Sequence, residues 1–177
     1  MTNWTFYPVF IGTLISVTGL TRIAFKNHLP LRSLSELAAA EQTVLAHFRN
    51  ILIVCDALFA ITVFGFIVPR IAQATAVATF GVLMIGGELL VSLLPARDKT
   101  LRVHNALAQI MAIGMLGLAF LFSLELHRYQ SIEAIGLLIM CVMALLTFAD
   151  KKRYIAYELA YIFSSHLSLL IAAIALR

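Results

Sequence analysis

Six stretches of about twenty residues each carry almost no charge, and this constrains the fold more than any other feature of the chain. They run over about Thr5–Phe25, Phe48–Val68, Ile71–Leu94, Asn105–Leu126, Ser131–Ala149 and Ile155–Leu176. An α-helix needs about 20 apolar residues at ~1.5 Å each to cross the hydrocarbon of a bilayer. Lipid offers backbone groups no hydrogen-bond partner, so such runs must form helices that satisfy themselves. Composition agrees: 62% of the 177 residues are hydrophobic and 12% are charged, against about 45–50% and 25% in a soluble domain. The sequence therefore predicts an all-α polytopic membrane protein, a bundle of six transmembrane helices in a single domain over residues 1–177.

The joints between runs are short and polar. Pro69–Arg70 separates the second and third runs, and Pro95–His104 the third and fourth. His127–Gln130 and Asp150–Arg153 form the last two. Arg22, Lys26, Arg32 and Arg49 flank the first loop, Arg97, Lys99 and Arg102 lie in the third, and Lys151, Lys152 and Arg153 form the fifth. Arg70, Arg128 and Arg177 alone serve the second loop, the fourth loop and the C-terminus. Cations concentrate on the cytoplasmic side of membrane proteins. The odd loops are thus expected in the cytoplasm and both termini outside, in a bacterial or archaeal cytoplasmic membrane. The start MTNW has no positive n-region, so the first run is expected to be a retained span. The net charge of +4 comes from these flanks and suits anionic lipid headgroups as partners, not nucleic acid. Cys55 and Cys141 fall inside apolar runs and read as small buried hydrophobes rather than a disulfide framework.

Only the first loop is long. Its Ser33-x-x-Glu36 pattern is a capping box, in which hydroxyl and carboxylate satisfy each other's free backbone N–H. Leu34, Leu37, Ala38, Val44 and Leu45 extend it into an expected short amphipathic helix of about three turns, at the interface or tucked against the bundle.

Ionisable groups inside a span cost on the order of 2.5–3.5 kcal/mol at the helix centre, so each needs a partner or a purpose. Asp56 lies mid-span, with Arg49 two turns away as a candidate partner on its own helix. Glu88 lies about two turns before the third span ends. Glu158 is just inside the sixth span and His166 near its middle, while His104, Asn105 and Gln109 open the fourth. Glu158, Tyr161, Ser165 and Ser168 share one helical face, with His166 beside it. The expected ligand or proton pocket comprises Glu88, Asp56, His104, Glu158, His166, Gln109, Asn105, Glu36 and Asp98, in the cytoplasmic half of the bundle. Glu88 in particular is expected to face the interior near His104–Gln109. Small residues recur at Gly12, Ser16 and Gly19 and at Ala74 and Gly81, which reads as helix packing.

No Walker loop, GxSxG, HExxH or CxxC is present. The residues leave three readings open. One is a carrier or binding protein for a small molecule, lipid or proton. Another is an intramembrane metal-dependent hydrolase, and the third is a structural or accessory subunit. Spacing singles out no metal site, and cofactor content and oligomeric state are not legible.

Ser35-Glu36-Leu37 in the first loop, and Pro95, Asp98 and His104 at the third, resemble the six-span prokaryotic membrane proteins grouped as domain of unknown function 998. The family's hallmarks are an SELGA-type loop and a P-x-D…H element; PARD carries one extra residue here. The resemblance covers most of the chain and implies that Glu36, Asp98 and His104 meet on one membrane face. It implies no activity. Ser164–His166 is more distantly similar to the alkaline ceramidase-related hydrolases, but their paired HxxxH is absent.

Overall fold

The structure, a computed structural model, describes residues 6–26, 33–97, 99–150 and 153–177. Seven α-helices and no strand occur among them: α1 (Phe6–Lys26), α2 (Leu34–Ala39), α3 (Gln42–Thr62), α4 (Ala74–Leu93), α5 (Leu101–Glu125), α6 (Gln130–Ala149) and α7 (Tyr154–Ala175). All but α2 are long and apolar enough to cross a membrane, α3 together with its continuation to Arg70.

The end of α3 follows from Pro69. A proline lacks the N–H and crowds the carbonyl four residues back, which here belongs to Gly65. The helix widens into a π turn over Val63–Ile67 and tightens into a 3-10 turn over Val68–Arg70. Arg70 then folds back: its Nη1 donates to the Phe66 carbonyl at 3.1 Å, with the guanidinium 4.2 Å above the Phe66 ring.

The six long helices pack in a closed ring in the order α1, α3, α4, α5, α6, α7 and back to α1, with α7 also touching α5. Half of the apolar window of α7 is buried, against 11% of that of α6, so α7 contributes to the interior and α6 turns outward. Glycines set the closest approaches. A Cβ on Gly114 would stand 2.3 Å from the backbone N of Met84, and one on Gly87 would stand 2.9 Å from the Met111 backbone. Only glycine allows α4 and α5 to touch this closely. Gly12 and Gly19 admit Phe59 and Ile51 of α3, and Gly81 admits Val63, so the small-residue stripes do serve packing.

Two ends of the ring are identified by contacts. Arg177 places its guanidinium 4.4 Å over the Phe6 ring, which brings the start of α1 against the segment after α7. At the opposite end, segments flanking the first, third and fifth loops converge around α2.

The first loop departs from expectation. One helix of three turns is replaced by the short α2 and a separate start of α3 at Gln42, divided by an extended Glu41 (φ −132, ψ 131). The break lets α2 lie across the bundle end while Val44 and Leu45 continue into the second span. Leu34, Leu37 and Ala38 are buried against Leu20 and Ile23 of α1, Phe48 and Leu52 of α3, and Leu159 and Ile162 of α7. An apolar stripe of one and a half turns is covered better this way than by a helix extended along the interface.

Candidate functional site

The capping box forms as expected. Glu36 N–H donates to Ser33 Oγ at 3.2 Å, and Ser33 N–H donates to Glu36 Oε2 at 3.0 Å. A third free N–H at the start of α2, that of Leu34, donates to Glu158 Oε2 at 2.7 Å. A carboxylate of α7 thus completes the cap of a helix 124 residues earlier in the chain, where its charge also suits the positive end of α2.

His104 ties the same helix to the third loop. Its Nδ1 lies 2.6 Å from the Leu94 carbonyl, which can only accept, so Nδ1 carries the proton. Nε2 is then the acceptor for the Ser35 hydroxyl at 2.8 Å, and Ser35 Oγ lies 3.0 Å from Ser33 Oγ. Serine donating to a histidine that donates onward resembles a nucleophile–base pair. Here, however, both members are buried (7% and 2% exposed), and neither lines the cavity beside them. The arrangement works as a clamp.

Beside the clamp lies a cavity of about 460 Å³ between α2, α5, α6 and α7. Its polar lining comprises Ser33 and Glu36 from α2 and its cap, Asn105 and Gln109 from α5, Thr147 from α6, and Tyr154, Glu158 and Tyr161 from α7. Ala108, Met111, Ala112, Ala144, Phe148 and Ile162 supply the apolar wall. Asn105, Gln109 and Phe148 are exposed, so the cavity opens sideways along the α5–α6 seam. Tyr161 braces its floor by donating to the Ala112 carbonyl at 2.7 Å. None of the described lining residues is cationic.

Of the nine expected pocket residues, four meet at this cavity: Glu36, Asn105, Gln109 and Glu158. His104 holds α2 beside it. Asp98 lies outside the described residues. Asp56, Glu88 and His166 form a second polar region deeper in the bundle, at 4%, 2% and 0% exposure. Gly81 of α4 faces Val63 of α3; seven residues from each, along antiparallel helices, brings Glu88 level with Asp56. Both Asp56 oxygens lack a hydrogen-bond partner, and Arg49 is exposed, so that expected pairing does not form. Glu88 is buried in the interior as expected, and adjacent Gly87 packs on Met111 of α5. His104 has committed both nitrogens elsewhere.

The expected polar face of α7 points inward, with Tyr161, Ser165, His166 and Ser168 all buried. Sequence reasoning missed Glu133, which is 1% exposed and accepts the Ser168 hydroxyl. A signal existed: Glu133 and Met140, the two buried residues of α6, are seven apart and share a helix face. Among the described residues no three His, Cys, Asp or Glu side chains are grouped so as to hold a metal ion. Comparison with known proteins places the chain beside none: no family model matches, nor does any curated protein or solved structure.

Proposed function

We propose that this multi-pass membrane protein binds a small molecule or lipid headgroup in the cavity beneath α2. One observation carries the reading. A volume of about 460 Å³, lined by two carboxylates, two amides and two tyrosines, opens sideways from the end of the bundle. Its size falls within the ~300–1,000 Å³ of small-molecule sites, which pair mostly apolar walls with a few polar groups that fix orientation. Glu36 and Glu158 supply negative charge, so the favoured ligand presents a cationic or hydrogen-bond-donating group to them and an apolar portion to Phe148 and Ala144. The lateral mouth suits a ligand arriving from the membrane.

The excess of Lys and Arg in the odd loops supports a cytoplasmic location for this end of the bundle, in a prokaryotic inner membrane. Membership in the domain of unknown function 998 family is part of the proposal. It is supported by the Ser35–His104 hydrogen bond, which joins the two motif elements that carry the resemblance.

Native mass spectrometry of the protein released from its own membrane tests the reading. A co-purifying small molecule or lipid is expected on the wild type. It should be lost from Ala108→Phe, which fills the cavity, and weakened in Glu158→Gln. Asp56→Asn, away from the cavity, should retain it. A ligand retained equally by Ala108→Phe, or none on any form, removes the proposal.

A further inference from the structure

The Asp56–Glu88 region takes no part in the cavity, yet it gathers the most costly groups in the molecule. Both oxygens of Asp56 and Oε2 of Glu88 have no hydrogen-bond partner. Independently, His166 and Ser16 are 0% exposed, and both imidazole nitrogens and the Ser16 hydroxyl are also unpartnered. Buried polar atoms are nearly always satisfied, and a buried charge is paired or neutralised. So many unmet atoms contributed by α1, α3, α4 and α7 point to an occupant.

The groups facing the pair identify its charge. Beside Asp56 on α3, the Cys55 Sγ donates to the Gly12 carbonyl of α1 at 3.3 Å, next in sequence to the unpartnered Thr13 hydroxyl and one turn from that of Ser16. Around Glu88, Gly87 packs on Met111 of α5 and Ser165 of α7 reaches Met84, one turn before Glu88, while His166 packs on Phe59. No described lysine or arginine is among them, so the compensating positive charge comes from outside the protein. Among the described residues no three His, Cys, Asp or Glu side chains are grouped to hold a metal ion. A proton needs only the two facing carboxyl groups.

We propose that Asp56 and Glu88 bind an exchangeable proton between them, with His166 one helical turn farther along as the group that hands it on. One proton turns two negative charges into one and makes one carboxyl oxygen a donor to the other. His166 is placed by Phe59, whose ring centroid lies 4.5 Å from that of the imidazole. Phe59 is three residues beyond Asp56, or ~4.5 Å along α3. A neutral imidazole is both donor and acceptor, which suits it to receive a proton on one nitrogen and release it from the other. A water bridging imidazole and carboxyl would satisfy the unmet atoms of both.

This site stands apart from the ligand cavity, and its test uses no ligand. The full chain in lipid nanodiscs, labelled with ¹³C only in aspartate, is measured by infrared spectroscopy at pH 7. Asp56, Asp98 and Asp150 are the chain's aspartates, and Asp56 alone lies within a span. We expect a protonated-acid C=O band that shifts with the aspartate label and moves again on transfer to D2O. The band should vanish in Asp56→Asn and shift in Glu88→Gln, while Glu158→Gln leaves it in place. The labelled wild type needs no variant to fold. Absence of an aspartate-derived acid band overturns the proposal. So does a band indifferent to Glu88→Gln, or one abolished when sodium chloride replaces choline chloride at fixed pH, which would mark a sodium site.

Discussion

His104 shows how one side chain can fix the relation between two loops. Replacing it with alanine strands the Leu94 carbonyl and takes one of two partners from the Ser35 hydroxyl, which keeps Ser33 Oγ, whereas Ser35→Ala leaves the Leu94 bond in place and strands Nε2. An unsatisfied buried polar group costs about 1–3 kcal/mol, so His104→Ala is expected to be the more destabilising of the two in a thermal-unfolding assay in detergent. If both variants lie within ~0.5 kcal/mol of wild type, the typical effect of a surface change, the clamp has no energetic weight. Asp56 should behave in the opposite sense. Its oxygens have no partner to lose, so Asp56→Asn removes an awkward charge and leaves stability unchanged or raised, as is common where a residue is kept for function at the expense of stability. A marked fall in melting temperature would show instead that Asp56 holds helices together.

At the scale of elements, the α4–α5 contact depends on glycine more than any other. A methyl at Gly114 meets the backbone of Met84 and Leu83, which cannot rotate away, so the helices must part. Gly114→Ala is expected to destabilise by about 1–3 kcal/mol, as overpacking does. Gly136→Ala, with nothing within 4 Å of the new Cβ, serves as the neutral reference; equal melting points for the two would refute the packing account. What the sequence revealed at this scale divides by range. Spans, joints and the Ser33–Glu36 box depend on neighbours within a few residues, and all appear. The division of the first-loop helix at Glu41 was not legible, because it depends on a surface that α1, α3 and α7 assemble only once packed. Glu158 is legible as a pocket residue, but its second task, capping α2, joins positions far apart in sequence. Seven of the nine expected pocket residues separate into two regions for the same reason: depth along a span is legible from the chain, but which face meets which neighbour is set by helix register.

The whole molecule crosses an even number of times, so its two ends are unlike surfaces. One carries the termini and the even loops, with Arg177 seated on Phe6. The other carries α2, the clamp, the cavity mouth and the odd loops. Ten of the thirteen Lys and Arg flank those odd loops: Arg22, Lys26, Arg32, Arg49, Arg97, Lys99, Arg102, Lys151, Lys152 and Arg153. Translocating such clusters is disfavoured, whereas Arg70, Arg128 and Arg177 each stand alone in their segments. The proposed cytoplasmic sidedness of the cavity rests on this asymmetry, and thiol labelling tests it. With Cys55 and Cys141 replaced by alanine, single cysteines are placed at Lys99 and at Arg128, both exposed and in loops of opposite parity. An impermeant maleimide added to intact cells should modify Arg128→Cys at once and Lys99→Cys only after the membrane is permeabilised. The reverse pattern would move the clamp and the cavity to the outer face, where a ligand would be drawn from the medium or the outer leaflet. Equal labelling of both positions in intact cells would contradict the six-span crossing itself, because two loops joined by the single span α5 must lie on opposite sides.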